Sequence, residues 1–215
     1  MTKRVCLFIA ATSSFPVGLT TTDNMRNLNN STSCRVPPIS PFLTALPDGR
    51  EVIIGYMTDL QLSETFAMIQ EAAQQSNGFG IDEYSNENEF RQDITGGYCF
   101  AVTLKETGEL IASFILAISR FYRGSTVADP FVIVKSTERR RGIGEFCLQS
   151  AVDLASELGF IGMYVDCFSN NRGMLKIIEN TGGFARVGCL PLGGQMKTGE
   201  IVGSVIFYRD LRREE

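Results

Sequence analysis

Three arginines and two glycines stand together where the chain changes its period. Phe131-Val132-Ile133-Val134 is an apolar, strand-like run, Lys135 to Arg141 is charged, and Gly142-Ile143-Gly144 opens an amphipathic stretch. Beyond the glycines, apolar residues recur at Ile143, Cys147, Ala151, Leu154, Ala155 and Leu158, the spacing of a helix with one buried face. Gly142 and Gly144 therefore fall in its first turn, where backbone N–H groups lack intrahelical acceptors and the helix dipole is positive. Such a junction suits a phosphate or pyrophosphate, and Arg139, Arg140 and Arg141 add formal charge. The same residues also read as a solvated turn. Two other nucleotide-binding patterns are set aside: Cys147 stands where a dinucleotide loop needs its third glycine, and no G-x-x-x-x-G-K-[ST] occurs.

A second segment carries compatible punctuation. Gly162 to Phe168 alternates as a strand, Asn170 or Asn171 can cap a following helix, and Met174, Ile177, Ile178 and Thr181 give that helix a buried stripe. Gly182 or Gly183 supplies its left-handed stop.

Taken together, Arg139-x-x-Gly142-x-Gly144 resembles the acyl-coenzyme A loop of the Gcn5-related N-acetyltransferases, whose signature is R/Q-x-x-G-x-G/A. Asn171 through Glu179 to Gly182-Gly183 resembles the later N-x-x-[AS]-x-x-x-[YI]-E-x-x-G-[GF] motif of that family, with its spacing kept. The resemblance implies an α/β (α+β) fold with a mixed, mostly antiparallel central sheet flanked by helices. It implies acetyl-coenzyme A (acetyl-CoA) as cosubstrate and no metal. By the same resemblance Val132 and Val134 line the pantetheine arm, with a backbone N–H near Val134 facing the thioester oxygen. Arg139, Arg140, Arg141, Gly142, Ile143 and Gly144 hold the pyrophosphate, and Asn171 hydrogen-bonds the pantetheine arm; helix capping is a second use for that asparagine. Ile178 occupies the position of the family's frequent tyrosine acid and has no proton to give.

The chemistry leaves several groups in play. Asp129, beside Pro130 at a strand start, and Asp166, on the next predicted strand, are the candidate bases or substrate anchors, and a bulge at Pro130 would turn Asp129 inward. Tyr164, Tyr208, Ser169 and water are the candidate proton donors. The last third also resembles the fungal acetyltransferases of azetidine-2-carboxylate and related imino acids, through Leu175-Lys-Ile, Val187-Gly-Cys-Leu-Pro191 and Val205-Ile-Phe-Tyr208-Arg-Asp-Leu211. That resemblance implies a small-molecule amine or amino acid as acceptor.

These residues are positioned by elements that the pattern marks out. Residues 1–48, rich in Ser, Thr, Asn and Pro, read as an irregular extension, and 49–215 as the catalytic domain. A strand over 50–57 is expected, then a helix capped by Thr58 or Asp59 and a short helix around 86–94. Strands follow at 98–104, 110–117 and 128–134, then the helix from Ile143, the strand 162–168 and the helix after Asn171. Two last strands, 184–190 and 201–207, flank a glycine-rich loop at 192–199.

Composition narrows the functions. The chain has 215 residues, 44% hydrophobic and 20% charged, the balance of a globular protein with one good core. A net charge of −4 argues against nucleic acid or an anionic membrane as partner, since both are bound through basic surface. No histidine is present, so histidine-based acid/base work is excluded. The cysteines, at 6, 34, 99, 147, 167 and 189, form no C-x-x-C pair and no metal-ligand spacing, which points to free thiols in a reducing compartment. The expected location is the cytoplasm, with mitochondria as the alternative because the first residues are basic and lack acids before Asp23. The reading is direct transfer of acetyl to an amine in a ternary complex, and a homodimer is compatible with it. Its alternatives are acetylation of a protein amine and a non-catalytic acyl-CoA-binding module.

Overall fold

Alternation along the central strands decides which helices lie on which side. The structure, a computed structural model, describes residues 39–75, 78, 84–119 and 126–212. Its strands are β1 Phe42–Ala45, β2 Glu51–Tyr56, β3 Tyr98–Leu104, β4 Leu110–Ile118, β5 Val127–Val134, β6 Gly162–Phe168, β7 Ala185–Gln195 and β8 Ile201–Asp210. The helices are α1 Asp59–Gln74, α2 Glu87–Asp93, α3 Ile143–Glu157 and α4 Arg172–Thr181. Phe100, Val102, Ala112, Phe114, Leu116 and Ala128 point to one face, where α3 and α4 bring Ile143, Cys147, Leu148, Ala151 and Ile178 against them. One residue out of phase, Ile115 and Phe131 point to the other face and meet Ile69 of α1 and Phe90 of α2. The sheet is thus covered on both sides by helices whose own stripes recur at three and four residues.

Among the described residues eight strands lie in the order β1-β2-β3-β4-β5-β6-β8-β7, and every neighbouring pair is antiparallel except β5 with β6. The β5–α3–β6 crossover makes that one parallel pair, as a strand-helix-strand unit must when it returns to the same sheet. Only two residue pairs form there, Val127 with Gly162 and Ala128 with Met163. Past them the strands separate.

Local chemistry fixes the helix starts. Thr58 and Gln61 form a reciprocal capping box at α1, with Gln61 N–H donating to Thr58 Oγ1 (3.3 Å) and Thr58 N–H to Gln61 Oε1 (2.9 Å). Asn86 caps α2 through Glu89 N–H (3.0 Å). Between α1 and the sheet, the hydroxyls of Thr65 and Ser113, both fully buried, share a hydrogen bond of 2.7 Å, so neither is left unsatisfied.

Two expectations are corrected. Of the stretch expected to be an irregular extension, residues 1–38 lie outside the described residues, but Phe42–Ala45 is β1, paired antiparallel from Phe42↔Ile54 to Ala45↔Glu51. Its four residues show no alternation and sit between Pro41 and Pro47, which hid them. The expected loop at 192–199 is shorter than its composition suggests: β7 runs on to Gln195 through a register shift between Leu190 and Gly194, because the glycines absorb the extra residues as a bulge.

The stack of Phe100 on Phe114, with centroids 5.1 Å apart, lies at the centre of the larger core, and both rings are fully buried. Replacing Phe114 by Ala opens a cavity there and is expected to lower unfolding free energy by about 3–5 kcal/mol. Chemical denaturation checks it.

Candidate active site

The parting of β5 and β6 leaves backbone groups facing an open wedge. Lys135 N–H donates to Ile111 O (2.9 Å) and Ser119 N–H to Val127 O (2.8 Å), so the odd-numbered residues of β5 turn their backbone toward β4. The even-numbered residues turn theirs toward β6, and past Ala128 these are Pro130, Val132 and Val134. Pro130 has no N–H to offer at the first position where the parallel ladder would continue. The N–H groups of Val132 and Val134 then face a gap instead of a neighbouring strand. On the far side the same logic holds: Leu211 N–H donates to Ile161 O (3.0 Å) and Ser169 N–H to Gly203 O (2.8 Å), so Tyr164, Asp166 and Phe168 turn their backbone toward the wedge.

The wedge opens onto the loop after β5. Ser136–Glu138 forms a 3₁₀ turn, Arg140 adopts a left-handed conformation (φ 63°), and Gly142 (φ 78°) stands at the N-cap of α3. Consecutive turns of this kind aim successive N–H groups at one point, and the positive end of α3 adds to them. Arg140 is the sole non-glycine residue with positive φ among the described residues. Gly144 lies close to α4: a Cβ there would stand 2.8 Å from Cδ1 of Ile177, which would have to turn aside.

A cleft of about 690 Å³ occupies this junction. It brings together Val132, Val134, Arg139, Arg140, Gly142, Ile143, Gly144 and Asn171 from the expected set, with Lys176 and Ile177 on the α4 wall. Arg141 stands outside the lining and meets Glu138 at 3.4 Å. Glu138 also accepts from Arg50 (2.6 Å), which ties the loop to the start of β2. Arg139 donates from Nε to Val134 O (3.1 Å), so its charge anchors the end of β5. Asn171 Oδ1 accepts from Met174 N–H (3.1 Å): the capping use is realised, and the amide nitrogen stays available for other bonds. A second hollow, of about 720 Å³, lies between β1 and α3, but its charged groups are Asp153 and Glu157, the wrong sign for a phosphate.

Three of the candidate proton-handling residues, Asp129, Tyr164 and Asp166, share the α1 face. Met163, Val165 and Cys167 pack on the α3 side, so Tyr164 and Asp166 project to the other, as Asp129 does from β5. Asp129 and Tyr164 thus flank the wedge from opposite strands, just past its closed end. The register of β4 with β5 runs unbroken from Ala112↔Val134 to Ile118↔Ala128, so the expected bulge at Pro130 is absent and Asp129 takes its face by plain alternation. Asp166 is exposed and accepts from Ser204 Oγ at 2.9 Å; Ser204, 2% exposed, gave no signal beyond being a polar residue within a strand. The Tyr208 side chain, paired across from Tyr164, fills the space above Gly162 at the closed end.

Burial pushes the thiols away from reactivity: Cys99 up to about 11, and Cys147 and Cys167 up to about 12, with the Asp166 charge adding to the last. Among the described residues no group of His, Cys, Asp and Glu has the arrangement of a metal site, and no helix is long and apolar enough to cross a membrane.

The profile of the Acetyltransferase (GNAT) family matches residues 63–184, more than half of the chain. No curated protein matches it significantly in sequence. Among solved structures, one provisionally assigned as a phosphinothricin N-acetyltransferase is 18% identical, with a TM-score of 0.66 over 75% of this chain and 99% of that one. The Salmonella typhimurium protein yncA, solved with its cofactor acetyl-CoA, is 17% identical, with a TM-score of 0.64 over 76% and 96%. The ribosomal-protein-S18-alanine N-acetyltransferase of Escherichia coli is 15% identical, with a TM-score of 0.61 over 76% and 96%. At these identities the likeness is one of fold.

The raised thiols carry an expectation of their own. Alkylation of the native protein at pH 8, mapped by peptide mass, is expected to modify exposed Cys189 and leave Cys147 and Cys167 untouched until denaturant is added.

Proposed function

The chain belongs to the acetyltransferase (GNAT) family, and from that membership we propose that it passes the acetyl group of acetyl-CoA directly to the amine of a small molecule or amino acid held in the same complex. One observation carries the reading: the wedge where β5 and β6 stop pairing runs at one end into an anion-suited helix terminus and at the other between Asp129 and Tyr164. Acetyl-CoA, when bound, supplies an activated thioester carbonyl at one end of the molecule and phosphates at the other.

Each part of the chain has a task in this reading. The N–H groups around Gly142 and Gly144, with Arg140, bind the pyrophosphate. The backbone of Val132 and Val134 takes up the pantetheine arm as β6 would take up a strand, and one of its N–H groups points at the oxygen on which negative charge develops. Asp129 takes a proton from the acceptor ammonium, freeing the nitrogen lone pair that attacks the thioester carbonyl, and Tyr164 gives one to the departing thiolate. Ile178 sits in the core, 1% exposed, where the family's frequent tyrosine would stand, so the donor has to come from elsewhere. Transfer through a cysteine is disfavoured, because Cys99, Cys147 and Cys167 hold their protons near neutral pH. The acceptor class rests on the resemblance of the last third to imino-acid acetyltransferases.

The test is thiol release from acetyl-CoA with a panel of amino acids, cyclic imino acids, polyamines and peptide N-termini. Release with a small amine is expected, and Gly144→Asp, which brings negative charge into the loop, should weaken coenzyme A binding by about tenfold or more. Release with peptides alone, or with nothing, overturns the acceptor half of the reading; unchanged affinity in folded Gly144→Asp overturns the donor half.

Asp129→Asn is expected to lower turnover on the order of 10²-fold or more while coenzyme A binding stays intact. The deficit should be greatest at low pH, where the acceptor amine is most fully protonated. A rise confined to the acceptor's KM would make Asp129 an anchor that holds ground and transition states alike.

A further inference from the structure

The loop that meets the pyrophosphate has less free cation than its sequence suggests. Of the three consecutive arginines, Arg139 is engaged by Val134 O and Arg141 by Glu138. Arg139 and Arg140 both line the cleft, and neither makes an ion pair among the described residues, although Arg139 Nε is committed to a backbone carbonyl. The lining also contains Glu145, in the first turn of α3, which accepts from Asn180 Nδ2 (2.9 Å). A helix terminus worth roughly half a charge and two guanidiniums, set against the Glu145 carboxylate, come close to balancing a pyrophosphate whose two phosphates are each singly ionised. They leave nothing for the separate ribose phosphate of coenzyme A, a monoester carrying roughly −1.5 to −2 at neutral pH.

The opposite wall holds the missing cation. α4 lines the cleft with Gly173, Lys176, Ile177 and Asn180, one helical face at spacings of three and four. Ile177 touches the α3 terminus at Gly144, and Lys176, one residue earlier, is exposed and makes no ion pair among the described residues. Glu145 is already hydrogen-bonded to Asn180 and does not reach it. Lys176 therefore faces Arg139 and Arg140 across one cleft, and none of the three makes an ion pair among the described residues.

We propose that Lys176 is the specificity-determining residue for the ribose 3′-phosphate, so that the chain distinguishes coenzyme A from dephospho-coenzyme A through α4 and not through its arginine loop. This rests on the donor site proposed above. A lysine ammonium serves as a point charge for a phosphate monoester and needs no fixed geometry.

Calorimetric titration of the full chain with coenzyme A and with dephospho-coenzyme A tests it. The wild type is expected to prefer coenzyme A about tenfold or more, the size of one charge-assisted hydrogen bond. Lys176→Gln should lose about that factor for coenzyme A, stay within about twofold for dephospho-coenzyme A, and leave the fold intact by circular dichroism, the side chain being exposed. Lys176→Arg should keep the preference. Equal losses on both ligands would place Lys176 at the pyrophosphate and overturn the proposal, as would a wild type that does not discriminate. If neither ligand binds the wild type, the donor-site reading fails along with it.

Discussion

Everything at the site depends on two strands that stop pairing. A parallel ladder between β5 and β6 would otherwise run the length of both, and its hydrogen bonds would consume the N–H groups of Val132 and Val134. The ladder holds at Val127 and Ala128 and then meets Pro130, which has no donor on that side. The position is one a sheet tolerates, because Pro130 faces Leu116 across β4 at a non-hydrogen-bonded pair and costs that ladder nothing. A single imino acid thus leaves one neighbour whole and releases the other. The backbone left without a neighbouring strand there has no side-chain signature.

The parting of the strands also sets where the helices begin. The crossover from β5 to β6 places α3 over the core face, and its buried stripe from Ile143 to Ala155 fixes the helix so that its positive end lies at the mouth of the wedge. α4 then packs against α3 through Ile177 and Gly144, so the cleft has a rigid wall on each side. Two of the loop's three arginines also serve its own architecture. Arg139 anchors a strand end and Arg141 joins Arg50 at Glu138, contacts that hold the backbone in the left-handed turn at Arg140.

The order of elements was readable because period and punctuation agree: alternation through Tyr98 to Val134, helical spacing from Ile143, and an asparagine before α4. The strand-to-helix turn from Arg139 to Gly144 was readable for the same reason. Other features were not, and each has a physical cause. β1 is too short and too flanked by proline to alternate, and the bulge in β7 is made of glycines that also spell a loop. The separate fates of Arg139, Arg140 and Arg141 depend on Val134 O and Glu138, contacts that composition cannot reveal. Ser204 and Lys176 are ordinary polar residues until the sheet puts one against Asp166 and the helix puts the other into a cleft.

Proline appears again at the sheet's end. β7 is the last strand in the order, and Val187, Leu190 and Leu192 leave it both apolar and exposed, the composition from which edge-to-edge aggregation starts. Pro191 interrupts its line of donors, and two register shifts, between Arg186 and Gly188 and between Leu190 and Gly194, keep it from lying flat. A foreign strand arriving at that edge finds no continuous template, so the same residue type that parts two strands inside the sheet also makes its margin a poor seed for fibrils.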